Sequence, residues 1–121
     1  MSDGQHVDLR ERLTAYSLRI IGLYSTLPKN DVARVLGRQM LRSGTSVGAH
    51  HREAHRARST AEFISKMETG LQELDETEYW LDLLLSSGNA PDDTRTLVKE
   101  TMELIAIFTA SVKTAKRGRG Q

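Results

Sequence analysis

The stretch Leu41-Arg42-Ser43-Gly44-Thr45-Ser46-Val47-Gly48-Ala49 decides the fold. Its small residues either break a helix or let another helix approach closely. Glycine in a helix interior costs about 1 kcal/mol relative to alanine, so two of them four residues apart need a reason. The apolar spacing continues through the stretch: Val32, Leu36, Met40, Ser43, Val47, His50 and Ala54 share one side at about 100° per residue. That continuity favours close packing and predicts one long helix over about 32–57.

Similar stripes lie on both sides. Leu9, Leu13, Tyr16, Ile20, Leu23 and Leu27 are spaced as the seam of a bundled helix over about 8–27. Leu27-Pro28-Lys29-Asn30-Asp31 stops it and offers caps for the next helix. Ser59-Thr60-Ala61-Glu62 reads as a capping box. After it, Phe63, Met67, Leu71, Leu74, Glu78, Leu81 and Leu85 form a stripe over about 60–87. Ser87-Gly88-Asn89-Ala90-Pro91 turns the chain, with Gly88 suited to the position after a helix. Asp92 and Asp93 favour the start of a fourth helix over about 92–116. Its face is Leu97, Thr101, Leu104, Ile105, Phe108, Val112 and Ala115. No segment shows strand alternation, and there is no internal repeat. The expectation is an all-α, antiparallel up-down-up-down four-helix bundle in one domain, residues 1–117, with a flexible basic tail at 118–121.

Composition narrows the function classes. The 121 residues are 38% hydrophobic and 27% charged, and none is cysteine. This excludes disulfides, thiolate zinc sites, iron–sulfur clusters and cysteine nucleophiles. No apolar run reaches the 18 or so residues of a membrane span. Met1–His6 lacks the basic-then-apolar order of a signal peptide, so a cytoplasmic location is expected. The formal net charge of +1 is unevenly placed: residues 1–60 carry 10 basic and 5 acidic side chains, residues 61–121 carry 7 and 11. Such asymmetry points to contacts between the halves or to a basic surface for an anionic partner.

Arg34, Arg38, Arg42, Arg52 and Arg56 fall within an arc of about 80° on the second helix, forming a stripe about 33 Å long. Arg58 follows, and Glu53 is the only acid between 34 and 58. Guanidiniums suit bidentate phosphate contacts, and phosphate neutralisation drives nucleic-acid affinity. Lys116, Arg117 and Arg119 would form an auxiliary near the C-terminus. No aromatic residue interleaves with the arginines, so base stacking is not indicated. The alternative is a solvated face paired with the acidic third helix, which carries 7 acidic residues and 1 lysine over 60–87.

Off the stripes, Tyr79, Trp80 and Leu83 cluster on the third helix, and Leu18 points away from the first seam. Exposed apolar clusters mark interfaces, so self-association is expected, with Gly44 and Gly48 as close-contact positions. Glu78, inside a stripe, requires a partner if buried; Arg19, Arg42 or His50 could reach it. His50, His51 and His55 suggest a metal site at first sight, since His51 and His55 are four apart. The order is neither His-Glu-x-x-His nor a repeated Glu-x-x-His, and no third ligand is evident. Gly44-x-x-x-Gly48 lacks the Lys-Ser/Thr ending of a phosphate loop, and no nucleophile elbow or dinucleotide fingerprint occurs. The sequence therefore predicts no enzyme, no metal and no cofactor; the rival would be a metal-dependent enzyme using His51 and His55.

The run Leu41–Ala49, followed by Arg52-Glu53-Ala54, Glu62-Phe63-Ile64 and Asp75-Glu76-Thr77-Glu78-Tyr79-Trp80-Leu81, resembles the bacterial four-helix bundle proteins. These are also called 23S ribosomal RNA intervening-sequence or S23-like proteins. Leu27-Pro28 and Leu104–Lys116 extend the resemblance, which covers roughly 9–117. It implies an up-down bundle assembled as a homopentamer with no known enzymatic activity. The group includes the accessory variability determinant of diversity-generating retroelements, a basic barrel that binds reverse transcriptase and nucleic acid. This chain departs from the usual pattern at His50 and His51, where members carry Asn and then an apolar or aromatic residue. It departs again at Arg58, often acidic in the closest subgroup. The changes make the segment more basic, although a total of +1 is far from a strongly basic barrel. The combined expectation is a non-enzymatic, ring-like homo-oligomer that binds RNA or DNA, or a protein-interaction scaffold, possibly for a reverse transcriptase.

Overall fold

The computed structural model describes residues 8–119, so the reading of Met1–His6 and the last two residues of the expected tail lie outside the described residues. Four helices follow one another: α1 (Leu9–Thr26), α2 (Asp31–His55), α3 (Thr60–Ser86) and α4 (Thr94–Arg119). No strand occurs among the described residues. The boundaries follow local chemistry. The Asp8 carboxylate accepts from the Arg10 N–H, the Asn30 side chain from Ala33 and the Ser59 hydroxyl from Glu62. Each cap satisfies a donor that the helix leaves free. Glu62 completes its box one residue further out than expected, accepting from the Arg58 N–H at 2.8 Å. Gly88, at φ 76°, ends α3: the Asn89 N–H reaches Leu84 and the Gly88 N–H reaches Leu85. This is the glycine-terminated double closure of a helix end.

Two boundaries move. Asp92 and Asp93 form the turn before α4, which begins at Thr94. At the other end α4 continues through Gly118 and Arg119, so the tail expected from 118 onward is helical at those two positions.

The backbones pack as α1 on α2, α2 on α3 and α3 on α4, with α1 and α4 meeting more sparsely and no approach across the diagonals. The α1–α2 register is set by small residues. Gly37 lies by Tyr24 and Leu27, Gly44 by Ile20, and Gly48 by Leu13, so positions rise along one helix as they fall along the other. The core is Leu13, Tyr16 and Ile20 from α1, Met40, Val47 and Ala54 from α2, Ile64, Met67, Leu74, Leu81 and Leu84 from α3, and Leu97, Leu104, Phe108 and Val112 from α4.

The inward stripes of α2 and α3 are rotated from those expected. On α2, Ala33, Gly37, Gly44 and His51 are buried, whereas Val32 is exposed. On α3, Ile64 and Thr77 replace Phe63 and Glu78 at the centre of the face, since α3 must serve neighbours on two sides. Glu78 is half-buried and makes no ion pair among the described residues, which corrects its assignment as a buried pair. The candidate partners are engaged elsewhere: Arg19 with Thr96, Arg42 with Glu73 and Glu76, and His50 with Glu53 and Glu73.

No described helix is long and apolar enough to cross a membrane.

Candidate nucleic-acid interface

The arginines of α2 project opposite its buried side, and the geometry sorts them. Arg34 is held by Asp31 of its own first turn at 2.6 Å. Arg42 reaches across to α3, contacting Glu76 at 2.8 Å and Glu73 at 3.5 Å. Arg38, Arg56 and Arg58 are exposed and make no ion pair among the described residues. Arg52 is exposed too, and its only polar side-chain contact among the described residues is a long one, 3.5 Å, to the Thr14 hydroxyl. Glu53, the one acid within the stripe, turns toward α3. There Lys66 lies at 3.5 Å and His50 at 3.3 Å, and both keep its carboxyl below the usual range, His50 first. The arginines toward the C-terminal end of α2 are thereby left unopposed.

The expected C-terminal auxiliary is divided. Lys116 pairs with Glu68 at 3.1 Å, Arg117 is exposed, and the side chain of Arg119 lies outside the described residues. The α3 acids thus take Arg42, while Arg38, Arg52, Arg56 and Arg58 make no ion pair among the described residues.

The histidines do not gather into a metal site. Among the described residues no three His, Asp or Glu side chains converge on a point. His51 is buried, only 5% exposed, and its ring meets His55 edge-on at 4.4 Å between centroids. Burial, followed by the His55 charge, lowers its pKa to about 4, so the ring is neutral at pH 7. The position four residues after Val47 has the inward phase of α2, which the sequence stripe placed one residue earlier, at His50.

The apolar outliers also separate. Leu18 is 62% and Tyr79 56% exposed. Trp80 is half-buried against the core, 5.1 Å from the Tyr79 ring, and Leu83 is half-buried. Gly44 is excluded from any subunit contact, because Ile20 of the same chain fills the space above it; Gly48 is half-buried against Leu13. The sequence did not single out Asp8 and Arg10, which meet the end of α2 beside His51. Their only sequence signal is a cap with a basic residue in the first turn.

These features define a class: a four-helix protein with a basic outer helix, an α1 and an α3 that each expose apolar side chains, and an inner seam sealed by small residues. The chain belongs to the family described as 23S rRNA-intervening sequence protein, which residues 6–110 match. It is similar to a protein of unknown function from the S23 ribosomal protein family of Bacteroides thetaiotaomicron VPI-5482, whose crystal structure is at 1.70 Å resolution. The two are 34% identical, with 86% of this chain and 94% of that one covered and a TM-score of 0.79. No curated protein matches the chain.

Proposed function

We propose that this chain is a non-enzymatic accessory protein that binds RNA, DNA or a ribonucleoprotein as an antiparallel bundle assembled into a ring, a pentamer by resemblance. One observation carries the binding reading: Arg38 and Arg52 on α2, Arg56 at its C-terminal cap and Arg58 just beyond it are exposed and without ion pairs among the described residues. Unpaired guanidiniums give the larger gain on meeting phosphate, because no internal ion pair must first be broken. The family's description ties it to an insertion in ribosomal RNA, which makes structured RNA the first polyanion to try.

The ring reading rests on a separate feature. Leu18 and Tyr79 lie on helices that do not approach each other across the bundle. A closed ring is built from a heterologous contact, which requires two different patches on each subunit. If the patches instead receive another protein, the chain is an interaction scaffold.

The test is fluorescence anisotropy of untagged protein with structured RNA, duplex DNA and single-stranded DNA at low and physiological salt. Arg38→Ala/Arg56→Ala is run alongside. The binding reading expects affinity that falls steeply with salt and a weaker salt slope in the variant. No binding at low salt would leave the scaffold reading.

A further inference from the structure

At one end of the bundle the start of α1 and the last turn of α2 enclose a cleft of about 390 Å³ lined by Asp8, Arg10, His51, Arg52, His55 and Arg56. Arg10, Arg52 and Arg56 make no ion pair among the described residues. Asp8 is the only acid among the described residues that line it, and its Oδ1 is already occupied by the Arg10 N–H. Recognition therefore falls to side chains rather than to the helix terminus. Three guanidiniums against one carboxylate leave two positive charges. His51 supplies the second, independent feature. It lines the cleft while nine-tenths buried, and its Nδ1 has no hydrogen-bond partner among the described residues. A buried polar atom without a partner is costly and marks a place where a ligand or water completes the network.

We propose that this cleft seats a phosphate monoester, the terminal phosphate of a nucleic-acid strand. A monoester carries about −1.5 to −2 charges at pH 7, against −1 for an internal diester, and so matches the two positive charges better. Arg10 and Arg52 also line a second hollow of about 270 Å³ with Thr14, Ser17, Thr45 and Gly48 in the groove between α1 and α2. That groove gives the strand a path away from the cleft. The assignment deepens the nucleic-acid reading and rests on it for the identity of the ligand, because Arg52 and Arg56 belong to both sites. Arg10 lies off the α2 stripe and lines the cleft and the groove.

The experiment compares one RNA oligonucleotide, labelled at its 3′ end, with either a 5′-phosphate or a 5′-hydroxyl. Binding to the full chain and to Arg10→Gln is measured by anisotropy at fixed salt. Inorganic phosphate is titrated separately while the His51 ring signals are followed by NMR. The expected result is about tenfold tighter binding of the phosphorylated strand. Arg10→Gln should bring the two strands to equal affinity, the phosphorylated strand losing more than the 5′-hydroxyl strand, because only the phosphorylated one loses the contact in the cleft in addition to that in the groove. Equal binding of the two strands by the parent chain would overturn the assignment, as would a preference that survives Arg10→Gln. If neither strand binds but phosphate moves the His51 signals only when Arg10 is present, the cleft is a site for free phosphate. The strand-end assignment and the nucleic-acid reading then both fail. If neither strand binds and phosphate moves nothing, the cleft holds no phosphate at all. Arg10→Gln changes an exposed first-turn side chain, so its fold is checked by an unchanged thermal transition.

Discussion

The hydroxyl of Tyr16 lies 2.6 Å from that of Thr101, sealed in the core where α1 faces α4. Thr101 has one proton, and it points to the Leu97 carbonyl at 2.8 Å, so Tyr16 is the donor in this pair. Burial raises the Tyr16 pKa well above the ordinary phenol range, which keeps the proton in place. The contact joins the neighbouring pair of helices whose backbones meet most sparsely. Outside it, Arg12 fastens the same helices by a fork onto Glu100, at 2.8 Å to each oxygen, and a 2.9 Å contact to Glu103.

Tyr16→Phe should therefore destabilise by about 1 kcal/mol, because Thr101 keeps its bond to Leu97. Thr101→Val should cost more, about 2 kcal/mol, since it removes the buried phenol's 2.6 Å acceptor. Urea denaturation ranks the two. Equal losses would mean that water or another acceptor serves Tyr16.

Gly44 and Gly48 have opposite tolerances despite sharing one motif. A methyl group on Gly44 would meet three Ile20 carbons at 2.9–3.0 Å, whereas on Gly48 it would stand 3.7 Å from Leu13. Gly44→Ala is expected to destabilise by about 1–3 kcal/mol through overpacking. Gly48→Ala should be neutral or stabilising by up to about 1 kcal/mol through helix propensity. Thermal melts of both variants make the comparison.

That asymmetry shows where sequence reading reaches and where it stops. The run 41–49 was legible as a close contact because its apolar spacing continues through the glycines. Which glycine is indispensable depends on the depth of one facing side chain, and no spacing encodes that. The same holds for the site. The arginine stripe follows from 3.6-residue periodicity, but its division into Arg42, taken by Glu73 and Glu76, and Arg38, left free, depends on α3. The cleft joins residues about forty positions apart, so neither stretch announces it alone. Glu78 and His50 were misplaced for one reason: each lies a residue away from the true inward phase, at Thr77 and His51.

His51 makes acid stability measurable. Its folded pKa of about 4 lies below the unfolded value of about 6.5, so the unfolded state binds more protons between them. The stabilisation is fully present above pH 6.5 and is lost as pH falls toward 4. The groups around the ring are Asp8 and Arg10 from α1, Arg52 and His55 from α2, and Phe108 from α4. Replacing the ring by Phe should remove about 2–3 kcal/mol of this pH dependence. Denaturation at pH 7 and pH 4.5 tests it; an unchanged difference in the variant would place the titrating group elsewhere.

If the subunits meet in a ring, Leu18 and Tyr79 belong to two different halves of one contact. Both side chains are more than half exposed, so a charge at either is tolerated by the monomer. Trp80 is less suitable because it also packs on the core. Leu18→Glu and Tyr79→Glu should each reduce the particle mass toward the 13.5 kDa of one chain in light scattering. Mixing the variants distinguishes the symmetries. In a heterologous contact each variant retains the half that the other lacks, so the mixture should form a dimer and stop there. In a two-fold contact both patches lie within one self-complementary surface, every pairing contains the damage, and the mixture stays monomeric. A parent chain that is itself monomeric would remove the ring and leave both patches to other partners.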